Sequence, residues 1–148
     1  MESVNSCYEI LEHPADVGFL AYGATLPQLF ENAGLALCSL ACAPDKIEER
    51  DQREIVATGA DIETLLYAWL TEILSLADAE QLVFCSVTVA QLREPTAEAV
   101  GEVRGAARGE KFNRDRHAAG TYIKAVTLHQ FAVERTPAGY RARVFLDV

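Results

Sequence analysis

The sequence predicts an α+β fold: a single two-layer domain over residues 1–148, with two principal helices packed against a mostly antiparallel or mixed β-sheet. Three observations predict it. Two segments carry apolar residues at three- and four-residue spacing, while several others are short, strand-like and bounded by turn residues. The strand-like segments after the second helix run consecutively instead of alternating with helices, which disfavours a regular βαβ succession. A chain of 148 residues suits one packed core and leaves little room for a second.

Taken in order, Tyr8 to Leu11 reads as a short strand, the turn-rich EHPADVGF follows, and Phe19 to Tyr22 reads as a second strand. Thr25 is placed to cap a helix, with Gln28 completing a T-x-x-Q capping box. Leu26, Leu29, Phe30, Ala33, Leu37 and Leu40 recur along one face. Pro44 ends that pattern, and DKIEERDQRE reads as a solvated connection leading to a strand near Glu54 to Thr58. Asp61 caps a second helix whose Ile62, Leu65, Leu66, Trp69, Leu70, Ile73 and Leu74 repeat by three and four. Trp69 falls on that apolar face and is read as core. Leu82 to Ala90 is rich in β-branched residues, and Ala97 to Ala107 is a further strand interrupted by Gly101 and Gly105. Ile123 to Arg135 and Tyr140 to Val148 form a terminal hairpin turned by Pro137 to Gly139. There is no internal repeat or low-complexity linker.

Charge and composition narrow the function classes. With 22 acidic residues against 13 Lys and Arg, the net charge of -9 disfavours direct capture of a nucleic-acid backbone and suits a cationic partner or a metal ion. Apolar runs fall short of the roughly 20 residues that a membrane-spanning helix needs. The opening MESVNSCYEI has acidic Glu2 and no basic leader, so the expected location is the cytoplasm. Cys7, Cys38, Cys42 and Cys85 include no close CxxC, which favours buried thiols over a disulfide framework or a zinc ribbon.

Three groups of residues are candidates for chemistry. Glu12, His13 and Asp16 share a turn, where two carboxylates and an imidazole can build a metal site or orient one another. Asp147 and the carboxylate of Val148 would join them if the last strand pairs beside the early loop; turn capping and solvated acids are the alternative. The second group, GEKFNRDRH from Gly109 to His117, gathers Lys111, Arg114, Arg116 and His117 into a basic island suited to a phosphate. Glu110 and Asp115 beside them equally suit a charge-compensated surface loop. The third is Lys124, Thr127 and His129, where strand alternation would set Thr127 and His129 on one face and Lys124 on the other. His129 beside Phe131 also reads as a hydrogen-bonded, half-buried sheet residue. No GxxxxGK[ST] loop, Ser-His-Asp or Cys-His arrangement assigns a nucleotide site or a nucleophile.

In order and spacing, EHPADVGF, LLYAWLTEIL, GEKFNRDRH, YIKAVTLH and the ending FLDV resemble the archease family over nearly the whole chain. Archeases resemble small α+β cofactors of the RNA-splicing ligase RtcB, which joins RNA ends using manganese and a guanosine nucleotide. The resemblance implies an accessory protein rather than an enzyme. It would promote guanylylation and repeated turnover of that ligase in tRNA splicing, tRNA processing or RNA repair, with RNA reached through the ligase. It implies that Asp16 of the H-x-A-D motif, Asp147 and Val148 bind the metal, with His13 and Glu12 supporting them. Lys124 of KAVTxH is the implied basic functional residue, with Lys111 and Arg114 assisting. The implied cofactor is a divalent cation, calcium ahead of magnesium, manganese or zinc. Pro14 occupies the variable position of H-x-A-D, and Leu128 stands where the family pattern often reads KAVTYH, removing an aromatic hydroxyl. The competing expectation is a stand-alone metal-binding or chaperone-like interaction module.

Overall fold

The computed structural model describes residues 7–13 and 16–148 and, for His13 and Asp16, the main chain alone. The chain runs β1 (Tyr8–His13), β2 (Asp16–Gly23), α1 (Leu26–Ala41), β3 (Asp51–Gly59), α2 (Ile62–Glu80), β4 (Leu82–Arg93), β5 (Gly101–Lys111), β6 (Ala125–Val126), β7 (Ala132–Thr136) and β8 (Gly139–Asp147). The strands form two sheets, every described pairing being antiparallel. In the larger sheet β8 is central: β2 lies along one edge, with β1 beyond it, while β6 and β7 share the other. The smaller sheet has the order β3-β5-β4.

Both helices begin with side-chain caps. Asp61 accepts the Thr64 N–H at 2.8 Å, and the Thr64 hydroxyl accepts the Asp61 N–H at 3.1 Å, a reciprocal box that satisfies two otherwise orphaned donors. At α1 only half of the expected box forms. Thr25 accepts the Gln28 N–H at 3.3 Å, but the Gln28 amide oxygen reaches past the cap residue to the Ala24 N–H at 3.0 Å. Leu29, Phe30 and Ala33 of α1 and Leu65, Leu66, Trp69 and Leu70 of α2 are fully buried. They belong to a core that also takes in Phe19, Ile55, Val103 and Val144 from both sheets. Burying each large apolar side chain contributes roughly 1.5–3 kcal/mol, so these two stripes supply much of the drive to fold. Trp69 lies in the core as its spacing predicts, its indole N–H donating to the Phe30 carbonyl at 3.0 Å.

The sequence-based strands differ from the observed ones in instructive places. The strand expected from Ala97 begins only at Gly101, and Gly105 lies within it rather than interrupting it. At Gly105 a Cβ would come within 2.8 Å of the Trp69 ring and closer still to the Thr88 carbonyl, so the missing side chain lets α2 press onto the strand. The stretch 45–54 is not a free solvated connection: Ile47 is buried and β3 begins at Asp51. Ile123 to Arg135 is two strands and not one. Val126 pairs with Leu146 and Ala132 with Arg143, leaving residues 127–131 opposite only 144 and 145. The surplus loops out through Gln130 at φ 51, and Arg143 Nε pins it by donating to the Gln130 carbonyl at 2.9 Å.

Between β5 and β6 the chain forms a strap. Gly120 and Thr121 donate their N–H groups to Ala41 and Leu40 carbonyls at 2.9 and 2.8 Å, satisfying acceptors at the end of α1. Beyond it, Lys124 donates its N–H to the Asp147 carbonyl at 2.7 Å. The strap thus joins the end of α1 to the end of β8. No helix of the described residues is long and apolar enough to cross a membrane.

Gly105→Ala should lower unfolding free energy by about 1–3 kcal/mol through overpacking against Trp69. Urea denaturation followed by tryptophan fluorescence should show an earlier midpoint at an unchanged slope.

Candidate functional site

The first and last strands place the sequence-predicted residues at one end of the larger sheet. His13 pairs with Asp16 across the β1–β2 turn, and Val17 pairs with Leu146. That ladder ends at this pair, and Asp16 and Asp147 are the next residues on the two strands. On the opposite side of β8, Asp147 pairs with Ala125, and the Lys124 N–H donates to its carbonyl. The topology therefore gathers Asp16, Lys124, Asp147 and Val148 in adjacent main-chain positions, with Glu12 and His13 across the turn. Pro14 and Ala15 of the H-x-A-D motif lie outside the described residues, as do residues 1–6.

Strand alternation on β8 determines what this end presents. Ala142, Val144 and Leu146 turn into the core, whereas Asp147 is exposed. Glu12 and Lys124 are exposed too, and Val148 beside them is 46 % exposed. The described side chains alone contain no group of three or more His, Cys, Asp or Glu placed to hold a metal. The donor chemistry nonetheless fits a hard divalent cation: Asp16 and Asp147 belong to facing strands, and carboxylate oxygens are the preferred ligands of such ions.

The third candidate group sits beside this end, though not on a continuous strand. Thr127 directs both its N–H and its hydroxyl to the Phe145 carbonyl, at 3.0 and 3.1 Å. His129 is exposed in the looped-out turn, not half-buried in the sheet, and its ring lies 5.7 Å from that of Phe145 at 49°. Phe145 escaped the sequence reading. The signal for it was its alternation with Val144 and Leu146, and the space it occupies comes from Gly18, whose Cβ would meet the Phe145 ring at 2.8 Å.

The basic island from Gly109 to His117 does not form a single phosphate-ready loop. Lys111 ends β5 and donates its ammonium to the Glu80 carbonyl at 2.8 Å, neutralising the negative end of α2. Arg116 grips the Glu110 carboxylate with two 2.9 Å hydrogen bonds. The Glu48 N–H adds a third at 2.8 Å, and Arg50 Nε lies 3.3 Å away. His117 Nδ1 accepts the Asn113 N–H at 2.9 Å, which leaves Nε2 to carry the proton and donate to Glu110 at 3.0 Å. Glu110 and His117 are both buried. Arg114 remains exposed at the turn. Glu110 is the hub that docks this loop onto the 45–54 connection. The hydrogen bonds from Arg116, then the Glu48 amide, hold its carboxyl down to about 2 from an ordinary 4.5.

All four cysteines are free. Cys38 and Cys42 are buried as expected, whereas Cys7 is exposed and Cys85 half-buried. Burial pushes the Cys38 thiol up to about 12, with Cys85 nearby adding to the effect.

Two helices against antiparallel sheets, with β2 paired to the last strand, β8, define a small α+β protein of a known fold. The solution structure of Methanobacterium thermoautotrophicum protein 1598 has it, with a TM-score of 0.80 and 30% identity, covering 97% of this chain and 99% of that one. A Thermotoga maritima crystal structure, described as an archease and possible chaperone, shares the fold with a TM-score of 0.61 at 18% identity, over 93% of this chain and 94% of that one. The chain belongs to the archease family: the model of the Archease protein family (MTH1598/TM1083) matches residues 8–148. Protein archease of Methanosarcina mazei is 39% identical over the full length of both chains. Protein archease of Pyrococcus furiosus is 39% identical over 95% of this chain and 98% of that protein.

Because its carboxyl is depressed, Glu110 contributes stability that is complete above 4.5 and lost as pH falls through about 2. Glu110→Gln should therefore destabilise the protein at neutral pH, with the difference from wild type shrinking between about pH 5 and pH 2. Denaturant titrations across that range test the sign: a difference that grows on acidification would contradict it.

Proposed function

We propose that this archease is an accessory activator of the RNA-splicing ligase RtcB, promoting ligase guanylylation and multiple turnover in tRNA splicing or RNA repair in the cytoplasm. The observation that supports the reading is the β2–β8 register, which ends at Val17 and Leu146 and leaves Asp16 and Asp147 as the next residue on each strand, with Lys124 tied to the same strand end. Asp16, Asp147 and the Val148 carboxylate form the proposed oxygen set, supported by His13 and Glu12. A divalent cation there, calcium ahead of magnesium, manganese or zinc, supplies fixed positive charge for phosphate oxygens. The chain's own residues orient the encounter. An acidic end complements a basic nucleotide-handling site, Lys124 adds a point charge for phosphate, and the net charge of -9 leaves RNA recognition to the ligase. Arg114, exposed, and Lys111, anchored on α2, are the weaker members of the proposed surface. Nucleotide transfer belongs to the ligase, and no independent catalysis is assigned to this chain.

A second reading, a stand-alone metal-binding or chaperone-like interaction module, draws on the exposure of Tyr122 at 68% and Leu128 at 66%. Multiple-turnover RNA ligation by the cognate ligase, with substoichiometric archease, separates the two. Wild type should stimulate turnover, while Asp16→Ala and Asp147→Ala, folded by circular dichroism, should each lose most of the stimulation. Calorimetric calcium titration should show affinity falling by about tenfold or more in both variants. If wild type fails to stimulate under any matched metal and guanosine-nucleotide condition, the activator reading is wrong.

A further inference from the structure

A strand at the edge of a sheet leaves a row of main-chain groups unpaired, and this fold blunts two of its own edges. At β4 the Val89 N–H donates to the Glu31 carboxylate of α1 at 2.8 Å, beside one of two breaks in register. At β7, a strand of five residues, the Val133 N–H donates to the Glu63 carboxylate of α2 at 3.0 Å. The edge strand β3 is built differently. It runs for nine residues, contains no proline and pairs with β5 from Asp51 to Gly59 without a bulge. Among the described residues, one side chain alone bonds to its main chain: the Arg53 guanidinium donates to the Gln52 carbonyl at 3.0 Å. That bond fixes which way the strand faces. Gln52 turns its peptide groups away from β5, so by alternation Glu54, Val56 and Thr58 do the same. Their N–H and C=O groups form a straight row along the edge.

We propose that the β3 edge takes up an extended segment of a partner protein as a fourth strand of the smaller sheet, a segment with lysine or arginine at alternate positions. Main-chain bonds to Glu54, Val56 and Thr58 supply the attachment, and alternate side chains supply the choice of partner. Glu54 stands exposed on the open face of the sheet, with Arg104 3.8 Å away, and faces the cationic side chains. On the other face the Arg53–Glu80 pair, at 2.9 Å, brings one side of α2 alongside the edge. Four-residue spacing puts Ala68, Glu72 and Leu76 on that side with Glu80. Half-buried Ala68 and Leu76 suit the apolar side chains of the segment, and exposed Glu72 adds negative charge beside them. A second copy of this chain fits less well: each copy carries a net charge of -9, and edge-to-edge pairing would bring like charges together. The edge belongs to the smaller sheet, apart from the carboxylates at the end of the larger one, so the inference stands without the ligase.

Fluorescence anisotropy of a labelled decapeptide of alternating Lys and Val, mixed with the full chain alone, without ligase or added metal, tests this. The peptide should bind with a Kd below about 1 mM, at least about tenfold more tightly than a decapeptide of alternating Glu and Val. Hydrogen exchange at the Glu54, Val56 and Thr58 amides should slow when it binds. Val56→Pro removes a donor from the open edge and none from the ladder with β5, so it should weaken the peptide about tenfold in a protein folded by circular dichroism. Glu54→Lys, at an exposed position, should weaken it by a similar factor at wild-type Tm. The proposal is overturned by no saturable binding up to about 1 mM, by equal affinity for the two peptides, by unchanged exchange at the three amides, or by an affinity that folded Val56→Pro leaves intact. Sedimentation in which the chain alone dimerises and Val56→Pro does not would assign the edge to a second copy and overturn it too. None of these results bears on ligase stimulation, which is read separately.

Discussion

The pairing of β2 with β8 is the constraint on which the rest depends. It joins residues 17–23 to residues 140–146 in unbroken register, and the inward side chains it aligns, Phe19 with Val144 and Ala21 with Ala142, are fully buried. A slip of one residue would turn that set outward and bring Phe145 and Arg143 into the core. The same register fixes which residues meet beyond the end of the ladder, so the hydrophobic pattern and the position of the carboxylates share one physical origin.

Two polar devices hold what the sheets do not. Glu110 ties the 112–117 loop to the 48–50 connection through five donors, which keeps a charge-rich stretch ordered where a lone buried carboxylate would not be tolerated. The strap satisfies carbonyls at the end of α1 and then reaches β8. Each replaces regular secondary structure over residues that have none.

Much of this was legible in the sequence because it rests on local periodicity. The stripes of α1 and α2, the Thr25 and Asp61 caps and the core place of Trp69 all follow from three- and four-residue spacing. The break of the 123–135 segment was not legible, because it arises from unequal lengths on two strands that only tertiary pairing compares. The role of Glu110 was hidden similarly: Arg116 is close in sequence, but the Glu48 amide is not. That the last strand lies beside the early segment could be stated in advance only as a condition, and β8 does pair with β2.

The central place of β8 also orders events in time. A ribosome makes β1, β2 and both helices long before β8 exists, yet the larger sheet has no middle until that last strand is inserted. Until then β2 presents an unpaired edge and α1 and α2 lack part of their cover, a state that invites holdase binding or aggregation. The smaller sheet, with β3, β4 and β5 all synthesised earlier, can close first and serve as a scaffold. A molecule interrupted before β8 thus loses the sheet and the acidic end together, so that vectorial synthesis itself withholds the surface from unfinished chains.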